Sequence, residues 1–355
     1  MFTMSLVRPA VPRRIALAQQ QPEERDVAGE WRALGSVGVT VDDVTTPAPT
    51  RRSARPADVV RAYVALIKPR VIELLLVTAL PAMFLAERGF PPPWTVFAVL
   101  VGGTMAAGSA NALNCVIDAD IDSVMKRTRA RPLVRHQVTP RDALVFGLAL
   151  GGGSFALLYL MTNWLAAVLA VAAILFYVLV YTMVLKRRTS QNIVWGGAAG
   201  CMPVVISWAA VTGTVAWPAL VMFGVVFFWT PPHFWALAMK FKDDYARAGV
   251  PMLPVIATQE RVSRQILVYS WVMVAWTLLL VPATGWLYTT FTVLFGVWFL
   301  ITAHRLHAAV RRGAGSGRAA NPMTLFHVSN TYLMLVFVAL AADSVLHLPV
   351  LGWPF

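Results

Sequence analysis

Five stretches of this chain contain no Asp, Glu, Lys or Arg: 89–117, 143–185, 189–239, 265–304 and 319–342. A helix that crosses a bilayer needs about 20 mostly apolar residues, whereas an apolar run of about 10–14 suits the core of a soluble domain. The three longest runs each have room for two crossings and the other two for one each. With one more over 71–88, the sequence predicts nine, at 71–88, 94–117, 142–161, 164–184, 192–211, 217–238, 265–282, 285–303 and 324–346. Turn signals fall between them: Pro91-Pro92-Pro93, Thr162-Asn163-Trp164, Thr212-Gly213-Thr214, and Pro282 to Gly285. The expected fold class is all-α, a polytopic membrane protein with nine transmembrane helices.

The few charges set the orientation. Of the 30 Lys and Arg, only Arg88, at the end of the first span, falls on the opposite side; the rest precede the first span or follow the second, fourth, sixth and eighth. Such asymmetry places the N-terminus and those loops in the cytoplasm. The net charge of +13 is then a topology signal, with anionic membrane lipids as its partners and no nucleic acid needed to explain it. Residues 1–60 mix charge, Pro, Gln and Thr without an apolar period, and are expected to be a disordered cytoplasmic tail before a membrane domain over 61–355. Up to Gln21 the tail has three Arg and no acid, as mitochondrial transit peptides do, but Glu23, Glu24, Asp26 and Glu30 follow at once. The expected location is therefore a bacterial cell membrane rather than the mitochondrial inner membrane. Cys115 and Cys201 both fall inside spans, without metal-ligand spacing, and read as small apolar residues.

Chemistry concentrates at the end of the second span, in NALNCVIDADIDSVMKRTRARP (111–132). Asn114, Asp118 and Asp122 recur every fourth residue, so on a helix they share a face. Two carboxylates together at a membrane edge repel each other and are poorly hydrated. Mg²⁺ relieves both problems, because it favours a few carboxylates plus the oxygens of a bound phosphate. Lys126, Arg127, Arg129 and Arg131 put positive charge beside that face. The combination suits a metal-bridged diphosphate.

A second segment, PPHFWALAMKFKDDYARAGVPMLP (231–254), lies on the same side. Asp243 and Asp244 could hold metal together with Asp118 and Asp122, although taken alone they read as a solvated loop. His233 is an ionisable group in a span, and such groups are functional candidates. Lys186-Arg187-Arg188 after Tyr181, and Lys68-Pro69-Arg70, are stop signals taken singly but could together neutralise a diphosphate. Ser329, Asn330 and Tyr332 in the last span read as interhelical polar contacts.

These motifs resemble a known family. NxxxDxxxD (Asn114, Asp118, Asp122) followed by RTxxRP (Arg127, Thr128, Arg131, Pro132) resembles the first signature of the UbiA-type intramembrane aromatic prenyltransferases. KPRV (68–71), YTMVLKRRT (181–189), NIVWGGAAG (192–200), WTPPHFWALAMKFKDDYARAGVPMLP (229–254) and FHVSNTYLM (326–334) are similar, in order, to the branch that farnesylates protohaem IX. The likeness covers the chain from about residue 61 onward. It implies helices around a central cavity, and transfer of farnesyl from farnesyl diphosphate to a vinyl group of haem b, giving haem O. Haem O leads to haem A, so a haem A synthase is a candidate partner. The resemblance further implies Mg²⁺ at Asp118, Asp122 and Asp243 or Asp244, with Asn114 adding an amide oxygen. Diphosphate contacts are expected from Arg127, Arg131, Lys186, Arg187, Lys240 and Lys242, and a haem contact from His233, with His304, His307 and His327 as competitors. Quinone-type relatives usually carry carboxylates where this chain has Lys240 and Lys242, which separates the two branches; a quinone-precursor ring is kept as the alternative acceptor, with the His233 segment against it by resemblance. A transporter would instead place ionisable residues near the bilayer midplane. Here only Glu73, Glu87 and Asp343 depart from the cytoplasmic tail and ends.

Overall fold

The computed structural model describes residues 55–313 and 321–352, and every regular element among them is helical. The expected N-terminal tail lies outside the described residues up to 54. Its last residues do not: α1 (Pro56–Ile67) begins inside the range assigned to the tail. Pro56 opens this helix and Ala62 and Leu66, one turn apart, are buried, so the stretch is amphipathic rather than structureless.

Nine helices among the described residues are long and apolar enough to cross a membrane: α2 (Pro69–Glu87), α3 (Pro93–Ile117), α5 (Pro140–Met161), α6 (Trp164–Arg188), α7 (Asn192–Thr212), α8 (Trp217–Lys240), α11 (Gln259–Ala283), α12 (Trp286–Arg311) and α13 (Pro322–Val345). Short helices α4 (Ala119–Val124), α9 (Lys242–Arg247) and α10 (Leu253–Ile256) lie between them. This is a multi-pass membrane protein. The expected spans agree to within a few residues except where helices extend beyond the apolar zone. Thus α11 starts at Gln259 and α12 runs to Arg311, because charged residues end a hydropathic run without ending a helix.

Breaks sit where capping chemistry puts them. Thr139, Asn163, Thr258 and Asn321 each accept a backbone N–H of the first turn they precede, satisfying donors that the helix itself cannot. Gly213 ends α7 at φ 71°, a left-handed conformation that glycine adopts without a Cβ clash.

Helices adjacent in sequence pack side by side, and α13 returns to α2, closing a ring. Two apolar cores fill it. One involves α7, α8, α11, α12 and α13; the other α3, α5, α6 and α7; and α2 contributes to both. Association inside a bilayer depends on close packing rather than on the hydrophobic effect, and small residues permit it. On α3, Gly102 lies so near α5 that a Cβ would come within 2.8 Å of Leu158 Cγ, and Ser154 donates to the Gly102 carbonyl at 2.7 Å.

Asp343, a carboxylate buried inside the last span, has a structural explanation. Its oxygens accept from Gly285 N at 2.9 and 3.0 Å and from Tyr288 N at 2.8 Å. It caps α12 from a neighbouring helix, where the partial positive charge of the helix start favours an anion. Asp343→Ala should lower stability by about 1–3 kcal/mol, read as a lower melting temperature of the protein in detergent, while Asp343→Asn should recover part of the loss.

Candidate active site

Asn114 and Asp118 straddle the end of α3, and Asp122 lies in α4. Asp118 interrupts the helix at φ −93°, ψ 10°, yet the i to i+4 bonds continue through it: Asp118 N donates to Asn114 O and Asp122 N to Asp118 O, both at 2.9 Å. The predicted spacing therefore survives the kink. All three side chains are buried, Asp118 completely.

An ionised carboxylate out of water must be matched by charge or hydrogen bonds. Asp118 Oδ2 accepts from Asn114 Nδ2 at 2.6 Å and forms an ion pair with Lys186, while Arg131 pairs with Asp122. Arg187 grips Asp120 with two bonds of 2.7 and 2.8 Å, donates to Ile117 O at 3.1 Å, and stands 3.7 Å from Asp118 Oδ1. Its hydrogen bonds hold the Asp120 carboxyl below the usual carboxylate range. Asp118 Oδ1 is buried and accepts no hydrogen bond.

Asn114 is fixed from three directions. Its Nδ2 also reaches Thr182 Oγ1 at 3.1 Å, and its Oδ1 accepts from Lys68 Nζ at 2.8 Å. With the amide oxygen engaged by Lys68, Asn114 could offer it to a metal only if Lys68 moved. Desolvation, reinforced by repulsion from Arg131 and Lys186, pushes the Lys68 ammonium down to about 8.

Thr182 and Lys186 reach this point because α6 changes type. Its residues Phe176–Leu185 form a π-helix, a rare wide winding that recurs at functional sites. Thr182 Oγ1 donates five residues back, to Tyr177 O at 2.8 Å, and so can accept from Asn114. The Tyr181 ring lies against Gly196 of α7, where any Cβ would collide with it.

The second segment joins the first through Asp244. Its carboxylate pairs with Arg247 and accepts from Arg127 N at 3.3 Å. Arg127 donates to Tyr245 OH at 3.2 Å, and its guanidinium lies 5.6 Å from the Phe241 ring centroid. Beneath them Ile121, Met125, Ile193, Ala238, Tyr245 and Met252 form one buried cluster. Asp243, Lys240 and Lys242 are exposed. Among the described residues no three of His, Cys, Asp and Glu stand close enough to hold a metal together. The four expected metal carboxylates are thus not gathered: Asp118 and Asp122 form one pair, Asp244 serves as a clamp, and Asp243 faces out.

His233 lies in α8, buried between Trp229 and Phe326, with ring centroids 4.1 and 4.3 Å away, and its Nδ1 is 2.9 Å from Ser329 Oγ on α13. The competing histidines are placed differently. His304 is exposed and accepts from Trp271, His307 contacts Ser263, and His327 is exposed. The residues that sequence reasoning missed are Asp120 and Thr182. Asp120 was visible between two singled-out acids, whereas Thr182 becomes informative only once the helix is known to widen.

The sequence pattern of the UbiA prenyltransferase family matches residues 75–330. The chain belongs to that family. Protoheme IX farnesyltransferase 2 of Saccharopolyspora erythraea is 69% identical over 92% of this chain and 99% of its own length. Among solved structures, a digeranylgeranylglyceryl phosphate synthase superposes with a TM-score of 0.66 at 15% identity, covering 81% of this chain and 99% of that one. A UbiA homologue from Archaeoglobus fulgidus bound to DMAPP and Mg²⁺ gives 0.57 at 13% identity, covering 78% and 98%. At such identities these likenesses speak to the fold, a UbiA-type helical bundle.

Lys186→Met would leave Asp118 buried without its ion pair, and should cost about 3 kcal/mol. Adding Asp118→Asn should recover most of that loss. Denaturation of the four proteins of this double-mutant cycle in detergent measures the coupling, and additive effects would contradict the pairing.

Proposed function

We propose that this chain transfers a farnesyl group from farnesyl diphosphate to a vinyl group of haem b, forming haem O. The observation that carries the donor half is the buried Asp118–Asp122 pair set among Lys68, Arg131, Lys186 and Arg187. With Asp120, which Arg187 also holds, the four cations face three carboxylates, and this surplus of positive charge together with a bound Mg²⁺ suits a multiply charged anion. Arg offers paired donors to phosphate oxygens and Lys a point charge. The acceptor half rests on the likeness to protoheme IX farnesyltransferases.

Mg²⁺ fits the donors present. Carboxylate oxygens are the hard ligands it favours, and Asp118 Oδ1 is already desolvated without a hydrogen bond. Asp118 and Asp122 would hold it, and once bound it neutralises charge on the diphosphate oxygens. Asp244 contributes indirectly, by fixing Arg127 and closing the second segment over the first.

In the reaction the C–O bond to the diphosphate breaks with both electrons on oxygen, where Lys186, Arg131 and Lys68 stabilise the growing charge. The allylic carbon is attacked by the haem vinyl carbon, water adds at the carbon left electron-poor, and a proton departs to complete the hydroxyethylfarnesyl group. Apolar helix faces exclude water until the C–C bond has formed. His233 contacts the haem. The basic end of the bundle faces the cytoplasm, in keeping with the Lys and Arg bias, and the product is one that a haem A synthase in the same membrane would take up.

Membranes containing the protein, supplied with haem b, Mg²⁺ and farnesyl diphosphate, should yield a haem heavier by the hydroxyethylfarnesyl change, read by mass of the extracted haems. Unmodified haem would overturn the proposal. Asp118→Ala and Asp122→Ala should each lower turnover at least about 100-fold with the protein still in the membrane, and wild-type rates in either would remove the pair from the donor site.

A further inference from the structure

The packing around His233 is organised by one residue, Ser329. Its Oγ is 2.7 Å from the Phe326 carbonyl oxygen and 2.9 Å from His233 Nδ1, and its own carbonyl accepts from Trp229 Nε1 at 2.8 Å. A serine hydroxyl carries a single proton. A carbonyl oxygen can only accept, so that proton is committed to Phe326 O. Ser329 Oγ then meets His233 as an acceptor, and Nδ1 must be the nitrogen that bears hydrogen. Neutral imidazole has one N–H, so the lone pair lies on Nε2.

Packing narrows the choice further. Trp229 is stacked within 22° of the imidazole plane and Phe326 within 27°, so the two faces of the ring are covered. Phe234 stands nearly perpendicular at 86°, with its centroid 5.1 Å away. The ring can neither be approached from its faces nor rotate freely. What remains for a ligand is the edge carrying Nε2.

We propose that Ser329 is a positioning residue that holds His233 in the Nδ1–H form and presents Nε2 as an axial ligand to the iron of the haem acceptor. This rests on the reading of His233 as the haem contact and specifies the atom, the tautomer and the residue that sets them. A hydrogen-bonded partner behind a ligating imidazole fixes its orientation and raises its basicity. Because the ring is clamped between α8 and α13, an iron bound through Nε2 would hold the macrocycle at a set angle to both helices. Ser329 would thereby help decide where the vinyl group lies.

The test is titration of the full-length protein in detergent with ferric haem b, without farnesyl diphosphate, followed by absorption and electron paramagnetic resonance. The wild type should show one imidazole-ligated species. His233→Ala should lose that signature, and added imidazole should restore it. Ser329→Ala should weaken haem binding about tenfold or more and give a mixture of species, while Ser329→Thr, which keeps the hydroxyl, should behave as wild type. If Ser329→Ala does not fold, Ser329→Cys offers only a weak acceptor of similar size and should move both readouts in the same direction. Wild-type affinity and spectrum in whichever of Ser329→Ala and Ser329→Cys folds, alongside loss of the signature in His233→Ala, would overturn the role of Ser329 and leave His233 standing. An unchanged spectrum in His233→Ala would overturn the haem contact itself, and the mass assay of prenyl transfer would still be decided separately.

Discussion

The structure turns on the burial of Asp118. A carboxylate fully removed from water at the edge of a bilayer is sustained only by what surrounds it. Lys186 and Asn114 provide that surrounding, and each is itself fixed elsewhere: Asn114 by Lys68 and Thr182, Lys186 at the end of the π-wound stretch. The consequence is a joint between α3, α6 and the junction of α1 with α2, all tied to one oxygen cluster. A site assembled this way is rigid before any ligand arrives, which is what electrostatic stabilisation of a leaving group requires.

Rigidity also explains why the second acidic segment differs from its first appearance. From composition, Asp243 and Asp244 look equivalent. In the fold one turns outward and the other is drawn in, because α9 places Tyr245 and Asp244 against α4 and the loop bearing Arg127. Asp244 is occupied by two arginines before any metal is considered, through the Arg127 backbone and the Arg247 side chain. The proposed donor site is therefore cation-rich around one carboxylate pair, not a box of four carboxylates.

Much of this was legible in the sequence, for physical reasons that can be named. Membrane helices announce themselves because bilayer thickness fixes their length, and Asn114, Asp118 and Asp122 could be placed on one face because helical periodicity is fixed. Three things were not legible. The start of α1 was hidden because an amphipathic helix at a boundary has the mixed composition of a tail. The engagement of Asn114 by Lys68 depends on how α1 and α2 meet, at a residue with φ 56°, which no local pattern forecasts. The π winding of Phe176–Leu185 is also invisible, since its residues are good membrane-helix formers in either winding.

The proposed donor and acceptor ends are built on different principles, and that division makes chemical sense. The donor end is dense with charge, so its parts can be held by ion pairs whose strength grows as water is excluded. A haem is large, flat and mostly apolar, and an ion-pair lattice would not grip it. The surroundings of His233 instead offer stacked aromatic rings and the hydroxyl of Ser329. Each element there removes a degree of freedom without adding charge. In the proposed reaction the carbocation would leave the cations and the diphosphate behind it and meet the uncharged surroundings of His233. The arrangement favours forward attack by the acceptor carbon over capture by water at the mouth.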